Sequence, residues 1–162
     1  MSVEKDIEIK IEKYPNGVIK SREHWKSDGS ILYESWDSFG QPRTRSNHLN
    51  NKYHGLVETW HESGNPAFRC HYLNGKQNGL CEGYYGDGKL EYSHNYSDDK
   101  KHGLQQSYNR DGQVTIQSYY LNGNEVTDAK FKQYLKQLGE QLSLQLNLNE
   151  KSLGKIIAEY SS

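Results

Sequence analysis

Three glutamates are the first residues of this 162-residue chain whose spacing suggests chemistry: Glu34, Glu58 and Glu82 recur every 24 residues, and Gln106 continues the series. Paired carboxylates perform acid–base catalysis. On strands separated by one intervening strand they would stand on the order of 10 Å apart, near the separation an inverting glycosidase uses. A column that recurs along a chain is, however, what a structural repeat produces, and no catalytic residue is assigned. The seven histidines (His24, His48, His54, His61, His71, His94 and His102) read the same way. His54 and His102 share a repeat position with Asn78 and belong to a turn. His71 and His94 lie on strands, and neither is joined by a second histidine and a carboxylate at metal-ligand spacing. No metal or other cofactor is expected. Gly86-Asp87-Gly88 is a turn rather than a phosphate loop, and Ser63-Gly64 lacks the preceding glycine of a nucleophile elbow. What remains is a set of binding-type side chains. Arg43, Arg45, Arg69 and His71 sit on repeat-equivalent strands, expected on the sheet face opposite the glutamates. With Tyr85 and Tyr119 they form either a polar-aromatic binding strip, rich in the residue types of binding hot spots, or a plain solvated surface.

The elements that must carry these residues follow from the period. Gly40, Gly64, Gly88 and Gly112 fall 24 residues apart, preceded by Trp36, Trp60, Tyr84 and Tyr108 and, earlier again, by Leu32, Leu56, Leu80 and Leu104. Downstream come His48, Tyr72, Tyr96 and Tyr120, then the pairs Asn50-Asn51, Asn74-Gly75, Asp98-Asp99 and Asn122-Gly123. So many columns in one phase define a tandem repeat. A first, degenerate unit over about 7–30 aligns after a one-residue deletion, Trp25 falling on His48 and Gly17 on Gly40. Within a unit, Leu56-Val57-Glu58-Thr59-Trp60 alternates as a strand, a turn follows at Gly64, and a second strand runs from Ala67 to Tyr72 into the hairpin signal Asn74-Gly75. Pro42 and Pro66 open strands, where proline is tolerated. Two turns per unit predict a mainly β fold, an elongated single-layer antiparallel meander of about five hairpin repeats and ten strands.

The totals agree. Net charge is -1, the apolar fraction is 33% and mean hydropathy is -1.04, values that lean toward disorder until 13 Tyr, 3 Trp and 15 Gly are counted. A thin structure held by rows of aromatic side chains fits them. Near-neutral charge argues against nucleic-acid binding. No apolar leader or run of membrane-span length is present, so a cytoplasmic protein is expected, with Cys70 and Cys81 as free thiols.

The pattern Gly-Leu-x-x-x-(Trp/Tyr)-x-x-x-Gly, carried by Gly55-Leu56, Trp60, Gly64, Tyr72, Asn74-Gly75-Lys76, Gly79-Leu80, Tyr84, Gly88, Tyr96, Gly103-Leu104, Tyr108 and Gly112, resembles the MORN repeat, and more narrowly its bacterial variant. The resemblance covers about 31–126 well and 7–30 poorly. It implies an elongated single-layer sheet and a non-catalytic binding role. Bacterial proteins with such repeats act as antitoxin or immunity components, while relatives of the broader repeat are scaffolds and suspected lipid binders.

The repeat stops after Val126, dividing the chain into a repeat sheet over 1–126 and a helical segment over 127–162. Thr127 or Asp128 can cap a helix whose apolar face is Phe131, Leu135, Leu138 and Leu142. The stretch 142–148 alternates and reads as helix or strand. Asn149 opens a second helix with Leu153, Ile156, Ile157 and Tyr160 on one side. These helices either cap the last hairpin or contact a partner, a second copy included. The functional expectation is a protein-binding module that neutralises a toxin, or a host or defence protein. The alternative is a binder of a small ligand such as a nucleotide, or of a lipid headgroup.

Overall fold

The computed structural model describes residues 8–146. Eleven strands form one open antiparallel sheet in strict chain order. They are β1 (Glu8–Lys13), β2 (Ile19–Trp25), β3 (Ser30–Trp36), β4 (Pro42–Leu49), β5 (Lys52–Trp60), β6 (Pro66–Leu73), β7 (Lys76–Tyr84), β8 (Leu90–Ser97), β9 (Lys100–Tyr108), β10 (Val114–Leu121) and β11 (Asn124–Val126). The helix α1 (Asp128–Leu146) follows. The meander of hairpin repeats is thus as the columns predict, with a short eleventh strand closing the series.

Two turn types alternate because the sequence alternates them. At one end of the sheet the His61–Asn65 turn closes with His61 N–H donating to Asn65 O at 2.9 Å, and Gly64 takes φ 83°. At the other end Asn74 and Gly75 adopt φ 53° and 86°, the doubly left-handed pair that matches the twist of a two-residue hairpin. Bulges recur beside the leucine column, where the Asn47 and Asn95 amides donate to the Leu56 and Leu104 carbonyls at 3.0 and 2.9 Å.

The sheet has two different faces. On the aromatic face one row, small at its middle, runs across the strands in register: Glu23, Tyr33, Ser46, Val57, Cys70, Cys81, His94 and Gln105. Ser46, Val57, Cys70, Cys81 and Gln105 are buried, which a lone sheet layer achieves only because larger rings flank the row. His48, Tyr53, Tyr72 and Tyr96 stand on one side and Phe68 and Tyr92 on the other. Rings meet at 5.2 Å between Tyr53 and Tyr72 and at 4.7 Å between Tyr92 and His94. The Tyr92 ring occupies the space a Cβ would take at Gly83, so that glycine admits the ring and the ring shields the glycine's backbone.

Several expectations are corrected here. Cys70 and Cys81 are not free thiols: they face each other across β6 and β7 and are joined as a disulfide, and the compartment argument drawn from reduced cysteines goes with them. The alternative left open for 142–148 resolves as helix over its described part, to Leu146, with Gly139 buried within the same helix. Thr127 is the cap, its hydroxyl accepting from Lys130 N–H at 3.3 Å. Phe131 is buried, stacked on Tyr119 at 5.0 Å, and Tyr134 packs on His102 at 5.7 Å. Leu138 is left 37% exposed, so the docked stripe is centred on Phe131 and Tyr134. The helix expected from Asn149 lies outside the described residues.

Candidate functional site

The second face carries a charge ladder. Arg22, Glu34, Arg45, Glu58, Arg69 and Glu82 are successive cross-strand partners from β2 to β7. Arg45 therefore lies on the same face as the glutamates, directly opposite both Glu34 and Glu58. The expectation that arginines and glutamates occupy opposite faces is wrong, because pairing in register puts partners on one side. Arg22 Nε donates to Glu34 at 3.0 Å, Arg45 Nε lies 3.8 Å from Glu34, and Arg69 Nε lies 3.1 Å from Glu58. Further along the charges give way to neutral groups. Glu82 accepts from the Tyr84 hydroxyl at 2.8 Å, Gln106 donates to Gln117 at 2.8 Å, and Gln117 to Tyr119 at 3.0 Å. Burial, then donation to Glu82, pushes the Tyr84 phenol up, while a hydrogen bond to Tyr84 and the nearby Glu58 hold Arg69 firmly charged.

Aromatic groups flank this ladder. The Arg22 guanidinium stands 5.5 Å over the Trp36 ring, and Trp60, Tyr84 and Tyr108 continue that column on β5, β7 and β9. Of the six residues predicted as a strip, Arg45, Arg69 and His71 come together here, Arg45 and Arg69 with side chains 52% and 45% exposed. The other three sit elsewhere. Arg43 donates to Asp37 at 2.7 Å in the turn between β3 and β4, where backbone N–H donation from Gln41 and Phe39, with Arg43, lowers the Asp37 carboxyl. Tyr85 lies in the turn after β7, its hydroxyl on Tyr108 O at 2.7 Å and the Arg110 guanidinium 4.5 Å over its ring. Tyr119 is on this face but at its far end, on β10 beneath α1, where it accepts from Gln117.

Alternation put the Trp36 and Trp60 column on the face of the glutamates, but sequence reasoning nominated neither for binding and missed Arg22 altogether. The signal was available in strict alternation from Glu34, but Arg22 belongs to the degenerate unit. It also missed a cleft of about 410 Å³ on the aromatic face of β2–β5, walled by Trp25, Tyr33, His48 and Tyr53 beside Glu23. Ser46 Oγ and His48 Nε2 are 2.9 Å apart there, and burial pushes the His48 pKa down against the pull of Glu23. Among the described residues no group of three His, Cys, Asp or Glu side chains is placed to hold a metal, and no helix is long and apolar enough to cross a membrane.

Segments 53–74, 77–98 and 101–124 match the family described as MORN repeat variant. Each matched MORN-variant segment contains one hairpin: β5–β6, β7–β8 and β9–β10. The units formed by β1–β4 fall outside the match: that accords with the degenerate columns of 7–30, whereas 31–52, expected to fit well, is not matched. No curated protein matches the chain. MORN repeats serve in general as non-catalytic modules that bind proteins or membranes.

Proposed function

We propose that the chain is a non-catalytic protein-binding module that docks a partner on the charged face between β2 and β7, and that docking neutralises the partner, in the manner of an antitoxin, immunity protein or inhibitor of a defence protein. One observation supports this reading above others: the self-neutralising Arg–Glu ladder lies beside a Trp/Tyr column. Arginine, tryptophan and tyrosine dominate binding hot spots. A ladder already paired within the sheet is pre-ordered, so a partner that meets it pays less conformational entropy for each contact. Alternating charge also fixes the register of a complementary partner and repels others. Among the described residues the helix α1 covers only the β9–β10 end of this face, and the ladder is left open. A cytoplasmic site of action is part of the proposal.

Co-expression with the product of the adjacent gene tests the proposal. The expected result is a stable complex, relief of any growth inhibition that product causes, and at least a tenfold weaker complex with Trp60→Ala or with Arg45→Ala and Arg69→Ala combined. Absence of both complex and relief, or a complex indifferent to these substitutions, removes this reading.

A further inference from the structure

The aromatic-face cleft arises where the repeat departs from its own columns. Glu23 stands where later units carry Ser46, Cys70 and His94, and Tyr33 stands where they carry Val57, Cys81 and Gln105. In the later units those positions are mostly closed over, Cys70 and Cys81 being 0% and 1% exposed. At β2–β5 an open volume of about 410 Å³ replaces them, within the size range of small-ligand sites. Its walls present one ring per strand over four strands: Trp25, Tyr33, His48 and Tyr53. Trp25 and Tyr53 are each 40% exposed, and His48 and Tyr53 meet at 4.9 Å.

We propose that this cleft binds a quaternary ammonium group. Ring faces attract cations through their quadrupoles, and Glu23 supplies a full negative charge at the side of the cleft. Among the described residues the basic side chain paired with Glu23 is Lys10, 3.8 Å away and 58% exposed, an ion pair weak enough to yield to an incoming cation. An anion would meet ring faces and a carboxylate, and a neutral apolar ligand would desolvate that carboxylate without compensation. The choice of a cation without N–H donors follows from the hydrogen bonding. Glu23 already accepts from Trp25 Nε1 at 3.2 Å, and Ser46 and His48 are bonded to each other at 2.9 Å. A methylated ammonium leaves those bonds in place and needs no acceptor, whereas a primary ammonium or guanidinium would give up hydration that Glu23, the one carboxylate lining the cleft, replaces only in part. The same group occurs on free choline-type solutes and on phosphatidylcholine headgroups.

The full-length protein is titrated with choline by NMR, following the indole N–H of Trp25 (assigned with Trp25→Phe). The same titration is run with 3,3-dimethylbutanol, the uncharged isostere, and with arginine methyl ester. Saturable millimolar binding of choline is expected, at least tenfold weaker for the isostere and weakened at least fivefold by Tyr53→Leu and by the isosteric Glu23→Gln. Co-sedimentation with phosphatidylcholine vesicles assigns the source: choline binding with vesicle binding means a headgroup site, and choline binding alone means a free solute. No saturation by choline, equal affinity for the isostere, tighter binding of the arginine ester, or choline binding unchanged in both variants overturns the proposal.

Discussion

Replacing Gly83 by alanine should destabilise this protein, against the ordinary expectation for a glycine within a strand. Glycine usually costs about 0.5–1 kcal/mol relative to alanine there, so Gly83→Ala taken alone would be mildly stabilising. The backbone at Gly83 is not in the left-handed region, which leaves sterics to decide. The Tyr92 ring fills the site of the missing Cβ, and it is a ring rather than the flexible end of a chain, so it must swing away. Burying an aromatic side chain removes about 150–250 Å² from water, or about 4–6 kcal/mol at 25 cal/mol per Å². Tyr92 is half-buried, so its displacement forfeits about 2–3 kcal/mol, and the intrinsic gain of alanine brings the net loss to about 2 kcal/mol. For a chain of this length that lowers Tm by roughly 4–8 °C. Thermal and urea unfolding followed by far-UV circular dichroism measure it. The double-mutant cycle is the sharper assay: in a Tyr92→Ala background the sign should reverse, Gly83→Ala then stabilising by about 0.5–1 kcal/mol. A Gly83→Ala protein as stable as the parent, or a loss of the same size in both backgrounds, would refute the argument that ring and glycine are one packing unit.

The charge ladder predicts a salt-sensitive defect. Arg69→Glu sets three carboxylates side by side with Glu58 and Glu82, and at this exposure it should cost about 1 kcal/mol at low ionic strength, shrinking in 1 M NaCl. A loss independent of salt would deny an electrostatic origin. Stability should also fall with acid in two windows. His48 and His94 are lowered by burial, His94 further by Lys101. The folded state therefore resists their protonation, and stability drops as pH falls from about 6.5, the unfolded value, through their lower folded values. Asp28, Asp37 and Asp87 are lowered chiefly by hydrogen bonds to turn N–H or hydroxyl groups, so their contribution is present above their ordinary value of 3.8 and is lost only below it. Urea midpoints from pH 7.5 to 5 check the first window, and His94→Asn should flatten it. Phe131→Ala, at a side chain only 5% exposed, should release α1 from the sheet at a cost of about 3 kcal/mol, seen as helical ellipticity lost before the sheet signal.

The repeat was legible because each column answers one physical demand that recurs every 24 residues: a left-handed turn at Gly64, a type I′ turn at Asn74-Gly75, a ring at Tyr72. Alternation and the hairpin turn at Asn50-Asn51 already place Arg45 and Glu58 on one face; what they do not supply is the direct partner. Across the bulge between Ser46 and His48 a step of two on β4 matches a step of four on β5. Counting from the turn therefore pairs Arg45 with Leu56 rather than Glu58, and the charge ladder shows only in the pairing across the sheet. The disulfide was illegible for the same reason. Cys70 and Cys81 are 11 residues apart; the Asn74-Gly75 hairpin alone would set Cys70 against Gly79, and the bulge between Cys70 and Tyr72 shifts the register to make Cys81 its partner. The cleft is the opposite case. Glu23 and Tyr33 were hidden because they break their columns, and confidence drawn from repetition discounts such positions. In a repeat protein the regular positions explain the sheet, and the departures from them mark where a surface differs enough to recognise something.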